Sequence, residues 1–125
     1  MKKFISLTAI LEGLTGIALI VTPNIIVLFL LGQPPLGPEG KITAMLAGAA
    51  ILSLAFICWI LRETPDLQKL IKGILFYNFA IIAIALYGLF WYGITNPGLF
   101  FVTIAHAVLF GWGAFTLRVN RSSNG

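Results

Sequence analysis

Charge is what this sequence has least of. Only 10% of its residues are charged, and none occurs in residues 42–61 or 73–117. The chain has one cysteine, one histidine and four acidic residues against eight Lys/Arg. Each scarcity excludes something. With Cys58 alone, no disulfide can close within the chain. One His and one Cys cannot supply a structural zinc set, and one His gives bis-histidine haem ligation only across a dimer axis. No metal or cofactor is expected. Gly-x-Ser-x-Gly, His-Glu-x-x-His and phosphate-binding glycine loops are all missing, and Ser53 has no base near it in sequence. Hydrolase and nucleotide chemistry therefore lack their residues, and the reading is non-enzymatic. The net charge of +4 comes from Lys/Arg that flank apolar runs instead of gathering on one face, so no nucleic-acid partner is expected.

What is abundant is apolar side chain: 59% of residues are hydrophobic, with a mean hydropathy of +1.01. One soluble domain of 125 residues could not bury that much, so the solvent must be a lipid bilayer. A transmembrane helix takes ~20 apolar residues. The first uncharged stretch holds one span, and the second holds two because Asn96-Pro97-Gly98 breaks it. A fourth lies near the start, interrupted only by Glu12. Met1-Lys2-Lys3 before this run resembles a secretory signal, but no small-residue cleavage site follows, so a retained anchor is expected.

The expected fold is therefore all-α, a single transmembrane domain over residues 1–125 with spans at about 4–22, 42–61, 68–92 and 97–117. Thr22-Pro23, Thr64-Pro65 and Asn96-Pro97 each read as an N-cap followed by proline in the first helical turn. A helix running straight from Phe4 to Leu31 would be ~42 Å long against ~30 Å of hydrocarbon. Residues 23–31 should instead form a short interfacial helix closed by Gly32, with Gln33 to Pro38 as an exposed loop. Short connections predict an antiparallel four-helix bundle. Its packing would use small residues such as Gly13, Gly16, Gly48, Ala55, Gly73, Gly88, Gly111 and Gly113, since lipid provides no hydrophobic drive between helices.

Orientation follows from the loops. With the N-terminus inside, Lys2, Lys3, Arg62, Lys69, Lys72, Arg118 and Arg121 are cytoplasmic and only Lys41 is outside. That bias predicts a multi-pass inner-membrane protein with cytoplasmic N- and C-termini. Trp59 at the inner end of span two and Trp91-Tyr92 at the outer end of span three suit aromatic belts.

Glu12 is the residue that calls for an explanation. A carboxylate near the midplane costs several kcal/mol unless it is paired, protonated or hydrated. Asn78 and His106 reach similar depth, all three within roughly 5 Å of the midplane at 1.5 Å per residue. Thr8 and Thr15 share the Glu12 face by helical spacing, Thr103 lies one turn from His106, and Tyr77 precedes Asn78. The candidate ligand or proton site is therefore Glu12, Asn78, His106, Tyr77 and Thr15. A protonated Glu12 donating to His106 or Asn78 would clamp three helices, a structural role such a cluster fills as readily as a functional one.

Leu11-Glu12-Gly13-Leu14-Thr15-Gly16 leading to Thr22-Pro23, the apolar segment ending Leu30-Leu31-Gly32, Tyr77-Asn78 and Ala105-His106-Ala107 together resemble small four-span bacterial membrane proteins of the DoxX-like group. The resemblance implies the four-span fold. Small multidrug transporters are similar in length and carry a carboxylate in the first span, but the Lys/Arg bias here argues against their dual orientation.

Three functions remain in view. The leading one is a non-enzymatic membrane protein whose polar cluster stabilises the bundle or binds a small lipophilic ligand. The others are a proton-linked transporter or channel using Glu12, and a membrane oxidoreductase or its accessory subunit. A homo-oligomer or membrane complex partner fits any of them.

Overall fold

The computed structural model describes residues 1–122, with the Arg121 and Ser122 side chains outside the description, as are residues 123–125 of the polar tail. Within it lie five helices and no strand: α1 (Lys2–Val21), α2 (Pro23–Leu31), α3 (Gly37–Leu61), α4 (Leu67–Trp91) and α5 (Pro97–Ser122). The residue order explains them. All six prolines fall in connections or in the first turn of a helix, where the missing N–H removes no intrahelical bond. Gly32 closes α2 in the left-handed conformation, φ 78°, which a side chain would oppose. Four helices, α1, α3, α4 and α5, are long and apolar enough to cross a membrane.

Three local expectations differ from the structure. Helix α3 begins at Gly37, so the connection from α2 is shorter than the exposed loop expected through Pro38. Pro38 occupies the first turn of α3 and Glu39 follows it, where a carboxylate complements the positive end of the helix. Thr64 does not cap α4: Asp66 holds that position, while the Thr64 hydroxyl and N–H both donate to the Leu61 carbonyl and close α3. The intervening Pro65 keeps Thr64 out of the next helix. Thr22 does stand at the N-cap of α2, yet its hydroxyl turns back to the Ala18 carbonyl at 2.9 Å.

Helices α1 and α3 form one closely packed pair, α4 and α5 another, and α2 bridges them by resting on α5. In the first pair Gly16 meets Gly48 so tightly that a Cβ on either would come within 2.8 Å of the other's carbonyl oxygen. In the second, Gly113 lies under Leu75 and Phe4, whereas Gly73 and Gly111 face open space and take no part. Between the pairs, larger side chains fill the gap. Phe4, Ile5, Ala9, Cys58, Leu67, Ile71, Ile74 and Leu109 make one buried cluster drawn from all four long helices, with Phe4 edge-on to Trp112 at 5.5 Å.

The exterior is as apolar as the interior. Phe76, Phe90, Leu14 and Leu46 are each more than 60% exposed, while Glu12, Thr8 and Asn78 are buried. This inverts the distribution water favours. The charges collect instead near the helix ends. Lys2 pairs with Glu63, joining the start of α1 to the chain just past α3, and the Arg62 guanidinium lies 3.8 Å over the Trp59 ring. The Lys2 bond and charge hold the Glu63 carboxyl below its ordinary range. A depressed carboxylate stabilises the fold near neutrality and loses that contribution as pH falls; in so exposed a pair, solvent screens most of it.

Candidate functional site

The α1 stripe that packs inward carries Phe4, Ile5, Thr8, Ala9, Glu12 and Gly16. Their spacings of three and four put Glu12 between the two helix pairs, where it is 4% exposed. Its partner is Tyr77 of α4, whose hydroxyl donates to Glu12 Oε2 at 2.9 Å. Depth and spacing in the sequence predict His106 or Asn78 as the partner of Glu12. Tyr77 takes that place because the phenol is long enough to cross the gap between helix pairs, while Asn78, the next residue, is turned toward α5.

Asn78 is fully buried and its amide orientation is decided by its own helix. Nδ2 donates to the Ile74 carbonyl at 2.7 Å, which only the nitrogen can do. Oδ1 is thereby directed at His106 Nδ1, 2.8 Å away. An oxygen there accepts, so His106 carries its proton on Nδ1, and in the neutral ring Nε2 is left as the acceptor. The Tyr77 and His106 rings meet edge to face, centroids 5.7 Å apart at 74°. Glu12, Tyr77, His106 and Asn78 thus form a continuous run through α1, α4 and α5, made of two hydrogen-bonded pairs joined by a ring contact.

Thr15 does not belong to it. The residue is exposed and its hydroxyl donates to the Leu11 carbonyl at 2.9 Å. Three residues from Glu12 is about 60° around the helix, enough to carry Thr15 off the packed stripe. Thr103 likewise bonds within its own helix, to Leu99 at 2.7 Å. Thr8 is on the stripe and fully buried, and its Oγ1 is the one buried side-chain oxygen without a partner among the described residues. Spacing from Glu12 brought Thr8 forward, but nothing in the sequence told it apart from Thr15.

Among the described residues, no three His, Cys, Asp or Glu side chains stand close enough to hold a metal. Carboxylate, phenol, imidazole and amide can do two things here: bind helix to helix, or, in the Glu12–Tyr77 pair, exchange a proton across one hydrogen bond. Comparison with protein-family models, with curated proteins and with solved structures finds no match to this chain.

Proposed function

We propose that this is a small non-enzymatic protein of the bacterial inner membrane, inserted as an antiparallel four-span bundle with both termini in the cytoplasm, and resembling the DoxX-like group. In it the Glu12–Tyr77 contact couples two helix pairs into one body. The observation that carries the coupling is that hydrogen bond, which crosses a gap otherwise filled by apolar packing. Opposed registers support the topology: Gly13 lies by Ala55, Gly16 by Gly48, and Lys2 by Glu63. Lys/Arg placement supports the orientation.

Interhelical hydrogen bonds of this kind are worth about 0.6 kcal/mol on average and up to ~1.7 for a good one, because helices apart in the bilayer also find partners. Breaking it from one side costs more, because the other group stays buried without a partner. The test is a double-mutant cycle. Glu12→Leu, which removes the acceptor, and Tyr77→Phe are each expected to lower thermal stability in detergent, and the double variant to lower it by less than their sum. Additive losses would show that the contact couples nothing.

A second reading has one observation in its favour. Glu12 is a buried carboxylic acid in the first span, hydrogen-bonded to Tyr77 between the helix pairs, the kind of intramembrane group proton-linked transport uses. In that case Glu12→Gln abolishes proton flux into loaded vesicles while the protein stays folded; flux equal to the wild type's removes this reading.

A further inference from the structure

A second feature lies away from the polar run, where the α2–α3 connection meets the α4–α5 connection. An open groove of about 640 Å³ lies there, with most of its lining residues exposed. That falls within the size range of small-molecule sites. Its lining combines the apolar Leu28, Leu31 and Ile94 with the polar Gln33, Thr95, Asn96 and Tyr92. No Asp, Glu, Lys or Arg lines it.

Its frame is held by backbone. Asn96 Nδ2 donates to the Leu28 carbonyl at 3.0 Å, tying the end of α2 to the start of α5. Beside it, Gly98 is so close to α2 that a Cβ would sit 2.0 Å from the Phe29 carbonyl oxygen. Gly93, at φ 64°, turns the chain so that the Ile94 N–H reaches the Gly88 carbonyl. Tyr92, the one aromatic residue of the lining, is edge-on to Tyr87, which in turn stacks on Trp91 at 6.0 Å.

We propose that this groove binds a neutral, hydroxyl-rich ring, a hexose, with the sugar of a glycolipid and a free sugar as its two sources. No charged side chain lines the groove to pair with a phosphate or ammonium headgroup. Hydroxyls match the mixed donors and acceptors of Gln33, Thr95 and Tyr92. The C–H face of a sugar ring packs on an aromatic surface, and the apolar residues accept the first methylenes of an acyl chain. The lipid source rests on the four-span reading; the free-sugar source does not.

The test uses the full chain in nanodiscs of phosphatidylethanolamine and phosphatidylglycerol, prepared without glycosidic detergent, with or without monoglucosyl diacylglycerol of the same acyl chains. Native mass spectrometry should show the glucolipid retained in preference to both phospholipids. Gln33→Ala with Thr95→Val, two exposed positions, should reduce that retention about tenfold, the factor one or two net hydrogen bonds are worth. Methyl glucoside is titrated in parallel: competition with the glucolipid assigns the sugar ring as the recognised part, and binding without glucolipid retention assigns the free sugar. Retention equal for all three lipids with no glucoside binding, preference for phosphatidylglycerol, or indifference to the double variant overturns the proposal. Should the chain stay out of nanodiscs, the four-span reading fails separately, and glucoside titration of the soluble chain still decides whether the groove takes sugar.

Discussion

At the scale of single residues, the polar side chains divide by whether the fold has given them partners. Asn78 is satisfied on both sides, by Ile74 and His106, and Glu12 is satisfied through Tyr77. Thr8 is not, although the Phe4 carbonyl four residues back is the usual recourse of a helical threonine. An unpartnered buried hydroxyl costs about 1–3 kcal/mol, and valine fills nearly the same shape without it. Thr8→Val should therefore raise the melting temperature in detergent, and a lowered one would reveal a partner that the hydroxyl serves. For Asn78, leucine is close in size but leaves His106 Nδ1–H unanswered. Asn78→Leu is expected to destabilise by about 1–3 kcal/mol by the same argument, and circular dichroism melts would read it. Glu12 was legible from sequence because a lone carboxylate within an apolar run is so costly. Its partner was not, since spacing along one helix says nothing about which side chain crosses from another, and Thr15 shows how coarse such spacing is even within a helix.

At the scale of elements, uncharged runs and prolines were enough to locate the long helices, because both act through the local backbone. The loop expected through Pro38 ends sooner, at the start of α3, for a related reason: Pro38 serves equally well in a loop or in a first turn, and only the surrounding chain decides. Small residues were harder still. Gly16, Gly48 and Gly98 prove to be close-approach points, while Gly73 and Gly111 face open space, and in sequence they look alike. The difference has consequences. Gly16→Ala would push a methyl to 2.8 Å from the Gly48 carbonyl and Leu52 nitrogen, so it should separate α1 from α3 and lower thermal stability by about 1–3 kcal/mol. Gly111→Ala meets nothing and should leave the melt unchanged or slightly higher, since alanine is the better helix former. Equal effects from the two would mean that the Gly16–Gly48 approach is not what holds the pair together.

For the whole molecule, the account rests on the chain crossing a bilayer in one direction. Its apolar exterior and the Lys/Arg bias both argue for this, and each residue-scale energy above takes hydrocarbon as the surrounding solvent. Leu36, in the connection before α3, is 86% exposed, and Thr64, in the connection after it, is half-buried. Cys58 is fully buried, so the native thiol should contribute little background. The most direct test places a single cysteine at either position and applies a membrane-impermeant maleimide to intact and to disrupted cells. Leu36→Cys should label in intact cells and Thr64→Cys only after disruption. Labelling of both in intact cells, of neither, or of Thr64→Cys alone would contradict the four-span, single-orientation bundle.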